Sequence, residues 1–232
     1  MTHEPREPED RFPEEEELPV GALREAYLGA LLAGELPTAE RVIRDAIDCG
    51  LVEDVIDTEI IAPAMVTVGD LWASGRIGIA DEHLATDISL RMIALQREAF
   101  RVARSRSSAK VLLAAVEEER HVVGLEMVAS SLLHAGFDVR MLGADVPADA
   151  ITAAIERIGP RVLGLTAATS HTAAIARHTV EMARRVDPSL GIVVGGAAAE
   201  HVVRPDPLVA VCEHVGEVVD VVEALVQRAT LN

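Results

Sequence analysis

The sequence predicts an α + α/β protein, a four-helix bundle followed by a flavodoxin-like, doubly wound parallel sheet. Three observations carry that expectation. Between Gly21 and about Arg104, apolar residues recur three and four positions apart with no alternating run, the periodicity of helices that bury one face. From Lys110 onward, short apolar runs of strand length alternate with helical stretches, as in a parallel sheet built from crossover units. Of the 232 residues, 50% are apolar and 25% charged, which places the chain among globular proteins of one large or two small domains.

The elements follow in order. Residues 1–20 carry eight acids, two arginines and four prolines before Val20, too polar and Pro-rich to order, and are expected to form a disordered acidic tail. Residues 21–104 hold four expected helices: Gly21 to Ala33, Thr38 to Cys49 with Thr38 as N-cap and Gly50 as stop, Glu53 to Trp72 with a kink at Pro63, and Asp81 to Arg104. Short connections between them indicate a bundle. The stripe Leu84, Ile88 and Ile93 is expected in its core. Residues 105–109, Ser-Arg-Ser-Ser-Ala, read as a linker. Residues 110–232 then give strands at Lys110 to Val116, Asp138 to Leu142, Val162 to Thr166, Ile192 to Val194 and near Val209 to Cys212, with a closing helix from Glu217 to Ala229.

Charge and composition narrow the function classes. With 38 acidic and 21 basic residues, the net charge of −17 repels a phosphate backbone, so direct nucleic-acid binding is not expected. Five aromatics (Phe12, Tyr27, Trp72, Phe100 and Phe137) leave the cores to Ala, Val, Leu and Ile. Cys49 and Cys212 stand alone, without disulfide or zinc spacing, which fits a reduced, cytoplasmic setting. No apolar run reaches the roughly 18 to 20 residues that span a bilayer, so no membrane partner is expected.

Chemistry concentrates where the first strand ends. In an open parallel sheet, ligands bind at the carboxyl ends of the strands. There the chain reads Glu119-Arg120-His121-Val122-Val123-Gly124. An imidazole can bind a metal, a carboxylate two residues earlier can hold its second nitrogen and fix the tautomer, and a glycine lets a large ligand approach. His134, His171, His178, His201 and His214 fit no ligand spacing and read as surface or supporting residues.

Glu119-x-His121-x-x-Gly124 resembles the Asp-x-His-x-x-Gly signature of cobalamin-binding domains of the methionine synthase type, with Glu in place of Asp. The resemblance implies His121 as the lower cobalt ligand. It also places Thr166, Thr169 and Ser170 where that family's Ser-x-Leu hydroxyl meets the cofactor's nucleotide tail, with Gly195-Gly196 on the same tail. Arg120, between the two motif residues, is a candidate for the corrin rim.

A second motif narrows the resemblance. Trp72, nine residues, then Glu82-His83 is similar to the Trp-x9-Glu-His pattern of adenosylcobalamin-dependent photoreceptors, which include light-responsive repressors of carotenoid genes. The resemblance implies that the bundle lies as a cap, with Trp72 and Glu82 against the adenosyl group. Those repressors have a His directly after the Trp; here it is Ala73, which leaves His83 as the post-illumination ligand. No helix-turn-helix module is expected ahead of the bundle, so the chain resembles the standalone photocobilins, which pair adenosylcobalamin with a bilin such as biliverdin. On this reading it is a light sensor and not an enzyme, a homo-oligomer (dimer or tetramer) acting on an effector protein the sequence does not name. The alternatives are a corrinoid shuttle protein of a methyltransferase system and a cobalamin store without a switch.

Overall fold

The computed structural model describes residues 20–100, 109–202 and 206–231. The expected acidic tail, apart from Val20, which opens the first helix, and most of the expected linker lie outside these residues. The helical unit comprises α1 (Val20–Ala33), α2 (Leu36–Asp48), a continuous rod made of α3 (Glu53–Ile56), a π-helical turn (Asp57–Ile61) and α4 (Ala62–Ala73), and α5 (Ile79–Ala99). The α/β unit follows as β1 (Lys110–Ala115), α6 (Val123–His134), β2 (Asp138–Met141), α7 (Ala148–Ile158), β3 (Val162–Thr166), α8 (Ser170–Val186), β4 (Gly191–Gly195), β5 (Val209–Val211) and α9 (Val218–Leu231).

The five strands are all parallel, in the order β2-β1-β3-β4-β5. That order reverses between β1 and β3, so the loops after these two strands splay apart and open a crevice at their carboxyl ends. β1 and β3 are central, with Val111, Leu112, Leu113, Val162 and Leu163 fully buried. Leu112, Leu163 and Ile192 join the core under α7 and α8, whereas Val111, Val162 and Val193 join the core under α6 and α9. Both layers are aliphatic, as the scarcity of aromatics requires.

The rod starts at Glu53 as expected, whereas the other three helices of the bundle begin one or two residues early. α2 begins at Leu36 rather than Thr38, because Pro37 has no N–H to lose and fits the first turn. Thr38 is therefore not the N-cap; its hydroxyl donates to Glu35 Oε2 at 2.8 Å. α5 begins at Ile79, and Asp81 sits inside the first turn, where its carboxylate accepts the Gly78 N–H at 2.8 Å. The helix is described as far as Ala99, so the predicted end near Arg104 lies outside the described residues. Leu84 is 46% exposed and not core, whereas Ile88 and Ile93 are buried.

Pro63 exacts a local rearrangement instead of ending its helix. It has no N–H for the carboxyl-side partner four residues earlier, the carbonyl of Glu59, and Arg24 Nε donates to that oxygen at 2.6 Å. The π turn lies immediately upstream and carries Asp57, which is 1% exposed. Gln96 Nε2 donates to Asp57 Oδ1 at 3.0 Å, but Asp57 Oδ2 and Gln96 Oε1 are buried with no hydrogen-bond partner. Nearby, the fully buried Tyr27 hydroxyl donates to Ser89 Oγ at 3.1 Å, and burial pushes its pKa up. The two units are joined by apolar packing of Val123, Met127 and Val215 against the bundle core. No helix among the described residues is long and apolar enough to cross a membrane, and both cysteines are free thiols.

Burial raises the Asp57 carboxyl to about 7, against the Gln96 hydrogen bond and with help from Glu53 and Asp54. The folded form thus holds a proton that the unfolded form releases near pH 4. The stabilisation is complete below that pH and is lost as pH rises through 7. Asp57→Asn is expected to raise folding stability at pH 8 by on the order of 3 kcal/mol and to change little at pH 4, measured by denaturant titration at both pH values. An equal effect at the two pH values contradicts the buried proton.

Candidate metal and cofactor site

Glu119 lies in the loop after β1 and is 1% exposed, yet its carboxylate is fully used. Oε1 accepts the His121 backbone N–H at 2.9 Å and His121 Nδ1 at 2.5 Å. Oε2 accepts the Ala168 N–H at 2.7 Å and the Thr172 hydroxyl at 2.8 Å. Burial acts to raise the Glu119 pKa, but these four hydrogen bonds outweigh it and hold the carboxyl at about 2. Glu119 is therefore an ionised acceptor at neutral pH, and Nδ1 of His121 must carry the proton between them. That fixes the tautomer: in the neutral ring, Nε2 keeps its lone pair free for a metal. The Glu119 hydrogen bond also raises the His121 pKa, opposed by burial and assisted by the charges of Glu119 and Glu82.

The loop that carries this pair and the neighbouring loop after β2 are held in an unusual backbone conformation. Glu118 and Asp145 both have positive φ, 65° and 56°, values that L residues rarely adopt. Asp145 Oδ1 accepts the Glu118 N–H at 2.7 Å, and the Asp145 N–H donates to the Glu119 carbonyl at 2.9 Å. His171 Nε2 donates to Glu118 Oε2 at 2.7 Å, tying the start of α8 to the same loop. Arg120 is exposed at the rim, 4.0 Å from Asp145 Oδ2.

Above this floor lies a cavity of about 830 Å³, near the upper end of small-molecule sites. Its floor is His121, Gly124, Gly164, Thr166 and Gly195-Gly196, and its roof is the bundle face of Met65, Val66, Gly69, Trp72, Glu82, His83, Thr86 and Leu90. The apolar Val66 and Trp72 are 65% and 45% exposed, unusual for large apolar groups unless something covers them. Glu82 Oε2 accepts from His83 Nδ1 at 2.5 Å, and Thr86 donates to Glu82 Oε1 at 2.9 Å, so this roof carboxylate is oriented as well.

The structure thus brings Trp72, Glu82, His83, Arg120, His121, Gly124, Thr166, Gly195 and Gly196 to one cavity, with Glu119 directly beneath His121. It does not bring Thr169 or Ser170 there. Thr169 is the N-cap of α8, its hydroxyl accepting the Thr172 N–H at 3.1 Å, and Ser170 opens the helix behind it. Gly196 has a second reason to be glycine: at φ 98° a Cβ would lie 2.5 Å from the Ala167 carbonyl oxygen. At Gly124 a Cβ would meet nothing within 4 Å, so its absence keeps the floor open. Sequence reasoning missed Thr172, whose only signal is that it lies one helical turn past the Thr169 cap. Of the two readings it gave His134, surface or supporting, the structure shows the second: the side chain is largely buried between the units against Glu53.

The donor set fits one kind of metal. His121 offers a single imidazole, and among the described residues no three His, Cys, Asp or Glu converge on a common point. One protein ligand suits a metal that brings its own equatorial ligands in a planar macrocycle, for which the glycine floor and the broad cavity leave room. Glu119→Gln is expected to lower the His121 pKa, read by NMR of the imidazole in the full chain. Thr172→Val should cost about 1 to 2 kcal/mol of stability by leaving Oε2 short of a donor. An unmoved His121 titration in Glu119→Gln contradicts the assigned tautomer.

Comparison with known proteins agrees with this donor set. Two family models, both described as B12 binding domains, match residues 109–226 and 23–95. The HTH-type transcriptional repressor CarH of Myxococcus xanthus is 33% identical over 178 residues, covering 76% of this chain and 58% of that protein. The chain therefore spans less than two thirds of that relative's length. A corrinoid protein of Desulfitobacterium hafniense is 22% identical over 180 residues, covering 75% of this chain and 82% of that protein. In fold, the monomethylamine corrinoid protein of Methanosarcina barkeri superposes with a TM-score of 0.72 at 17% identity, covering 87% of this chain and 97% of that one. The chain belongs to the B12-binding domain family, and its cofactor is a cobalamin.

Proposed function

We propose that this protein is a light sensor that binds adenosylcobalamin between its two units. The observation that carries the reading is the roof: the chain's single Trp and the oriented Glu82-His83 pair line the same cavity as His121. A methyl carrier needs an upper face that partner enzymes can reach, whereas a tryptophan ring and an oriented carboxylate form a cap.

The residues divide the work. His121 would hold cobalt through Nε2, and Glu119 keeps the ring from rotating by fixing Nδ1. Gly124, Gly195 and Gly196 keep side chains out of the floor, and Thr166 offers a hydroxyl to the nucleotide tail. On the roof, Trp72 packs its ring on the adenosyl group and Glu82 accepts from the ribose or adenine, both excluding water. The cofactor, when bound, supplies visible absorption and a cobalt–carbon bond that light can break. Trp72 and Glu82 would hold the roof closed through their contacts with the bound cofactor, and loss of those contacts would free the roof, with His83 lining the same cavity. A changed oligomer, dimer or tetramer, is the output passed to an effector protein. A bilin such as biliverdin is proposed as an optional second chromophore.

A second reading, a corrinoid shuttle for methyltransferases, is favoured by the match to nearly the whole length of the monomethylamine corrinoid protein, which is a likeness of fold.

Absorption spectra of the full chain loaded with adenosylcobalamin, before and after green light, with sizing in both states, separate the two. A light-dependent spectral and size change is expected. Retained methylcobalamin with turnover of a methyl donor, and no light response, overturns the sensor reading in favour of the shuttle. A new red band after addition of biliverdin is the expected sign of a bilin. His121→Ala is expected to give a spectrum without imidazole ligation, and an unchanged spectrum rejects His121 as the lower ligand. Trp72→Ala is expected to weaken adenosylcobalamin binding about 10-fold, roughly the value of one buried aromatic contact, by equilibrium dialysis.

A further inference from the structure

The cavity occupies only one end of the contact between the two units. At the other end three helices converge on a compact polar cluster that the proposed chemistry does not use. The rod that carries Trp72 near its end begins at Glu53, and α5, which carries Glu82 near its start, ends beside Arg97. Both far ends are tied to α6, the helix that begins two residues after His121. Arg97 Nε donates to Ser130 Oγ at 2.8 Å, and its Nη2 donates to Glu126 Oε2 at 2.8 Å and to the Glu126 carbonyl at 3.1 Å. His134 Nδ1 hydrogen-bonds Glu53 Oε2, with the Phe100 ring edge-on to the imidazole at 6.4 Å.

These ties are not ordinary surface pairs. Glu53 is 8% exposed and Ser130 is fully buried, and Arg97 and Glu126 are partly buried, with 33% and 24% of their side chains exposed. Exposed pairs contribute little, but a buried charge that loses its partner is strongly unfavourable, so the cluster tolerates one geometry. The contact is also lopsided. The far end is closed by directional hydrogen bonds on α6, and the near end is open at the cavity. Fifteen residues separate Glu82 from Arg97 along α5, a lever of roughly 22 Å, over which a tilt of about 5° moves Glu82 by about 2 Å.

We infer that Arg97, Glu53 and His134 are positioning residues: they form a polar hinge on α6 that sets the height of the bundle roof, and so of Trp72 and Glu82, above the His121 floor. Because α6 follows His121 directly, floor and hinge share one rigid element. The hinge makes the cleft selective for cobalamins by the size of the upper ligand, a consequence that rests on the cobalamin reading; the roof height itself does not.

The test uses the full chain with Arg97→Met, which keeps the aliphatic stem and removes every donor, and His134→Phe, which leaves Glu53 unpaired. Two readouts are taken on protein whose circular dichroism matches wild type. The first needs no cofactor: acrylamide quenching of Trp72, the only Trp in the chain, is expected to rise about twofold as the roof lifts. The second is the ratio of affinities for adenosylcobalamin and hydroxocobalamin, expected to shift about 10-fold against the adenosyl form while hydroxocobalamin binding holds. Unchanged Trp72 quenching, or equal weakening of both cobalamins, overturns the hinge and leaves the cluster a stability device only. If wild-type protein binds neither cobalamin, the functional reading fails, and the quenching measurement on cofactor-free protein still decides the hinge. Should Arg97→Met not fold, Arg97→Lys, which keeps the charge but cannot span Ser130 and Glu126 together, takes its place in both readouts.

Discussion

Glu119 sits in the loop after β1 with 1% of its surface exposed, and the rest of the site is arranged to keep that buried carboxylate charged. Four donors reach it: two from His121, one from the turn after β3, and one from the first turn of α8. A buried carboxylate without them takes up a proton, and a protonated Glu119 no longer fixes which nitrogen of His121 is free. The crossover order that puts β1 beside β3 is what brings Ala168 and Thr172 within reach. The sheet is therefore more than a platform for the imidazole; its topology determines which nitrogen of His121 keeps a free lone pair.

The roof and floor obey opposite rules. The floor is rigid, built on loops after central strands and pinned by positive-φ residues whose amides and carboxylates hydrogen-bond one another. The roof is a helical face with large apolar side chains left partly exposed, and it touches the α/β unit through aliphatic packing and a polar cluster at one end. Aliphatic contacts are non-directional and tolerate sliding, whereas the hydrogen bonds of Arg97 and His134 do not. The polar cluster inferred to act as a pivot lies on α6, the helix that follows His121.

Inside the bundle, the π turn at Asp57–Ile61 and Pro63 leave a run of poorly satisfied polar atoms: Glu53 Oε1, Asp57 Oδ2 and Gln96 Oε1 are buried without partners. All three are acceptors, and a proton on Asp57, whose carboxyl burial raises to about 7, is the simplest missing donor. Glu53 belongs both to this trio and to the contact with His134, which joins the bundle interior to the interface between the units.

Much of this was legible in the chain itself. Helical periodicity against short apolar runs separated bundle from sheet, because burying one face of a helix and both faces of a parallel strand leave different local patterns. The Glu119-His121-Gly124 spacing read as a site because carboxylate and imidazole are close enough in sequence to meet in a loop. What only the tertiary structure decided were the partnerships across long separations: Thr172 with Glu119, His134 with Glu53, and Arg97 with Glu126 are 53, 81 and 29 residues apart. Each depends on strand order and on how the bundle lies on α6, which no local pattern encodes. The same holds for Thr169, whose hydroxyl the sequence offers to a ligand and the fold spends on capping a helix, since both uses ask for the same atom and only the direction of the chain chooses between them.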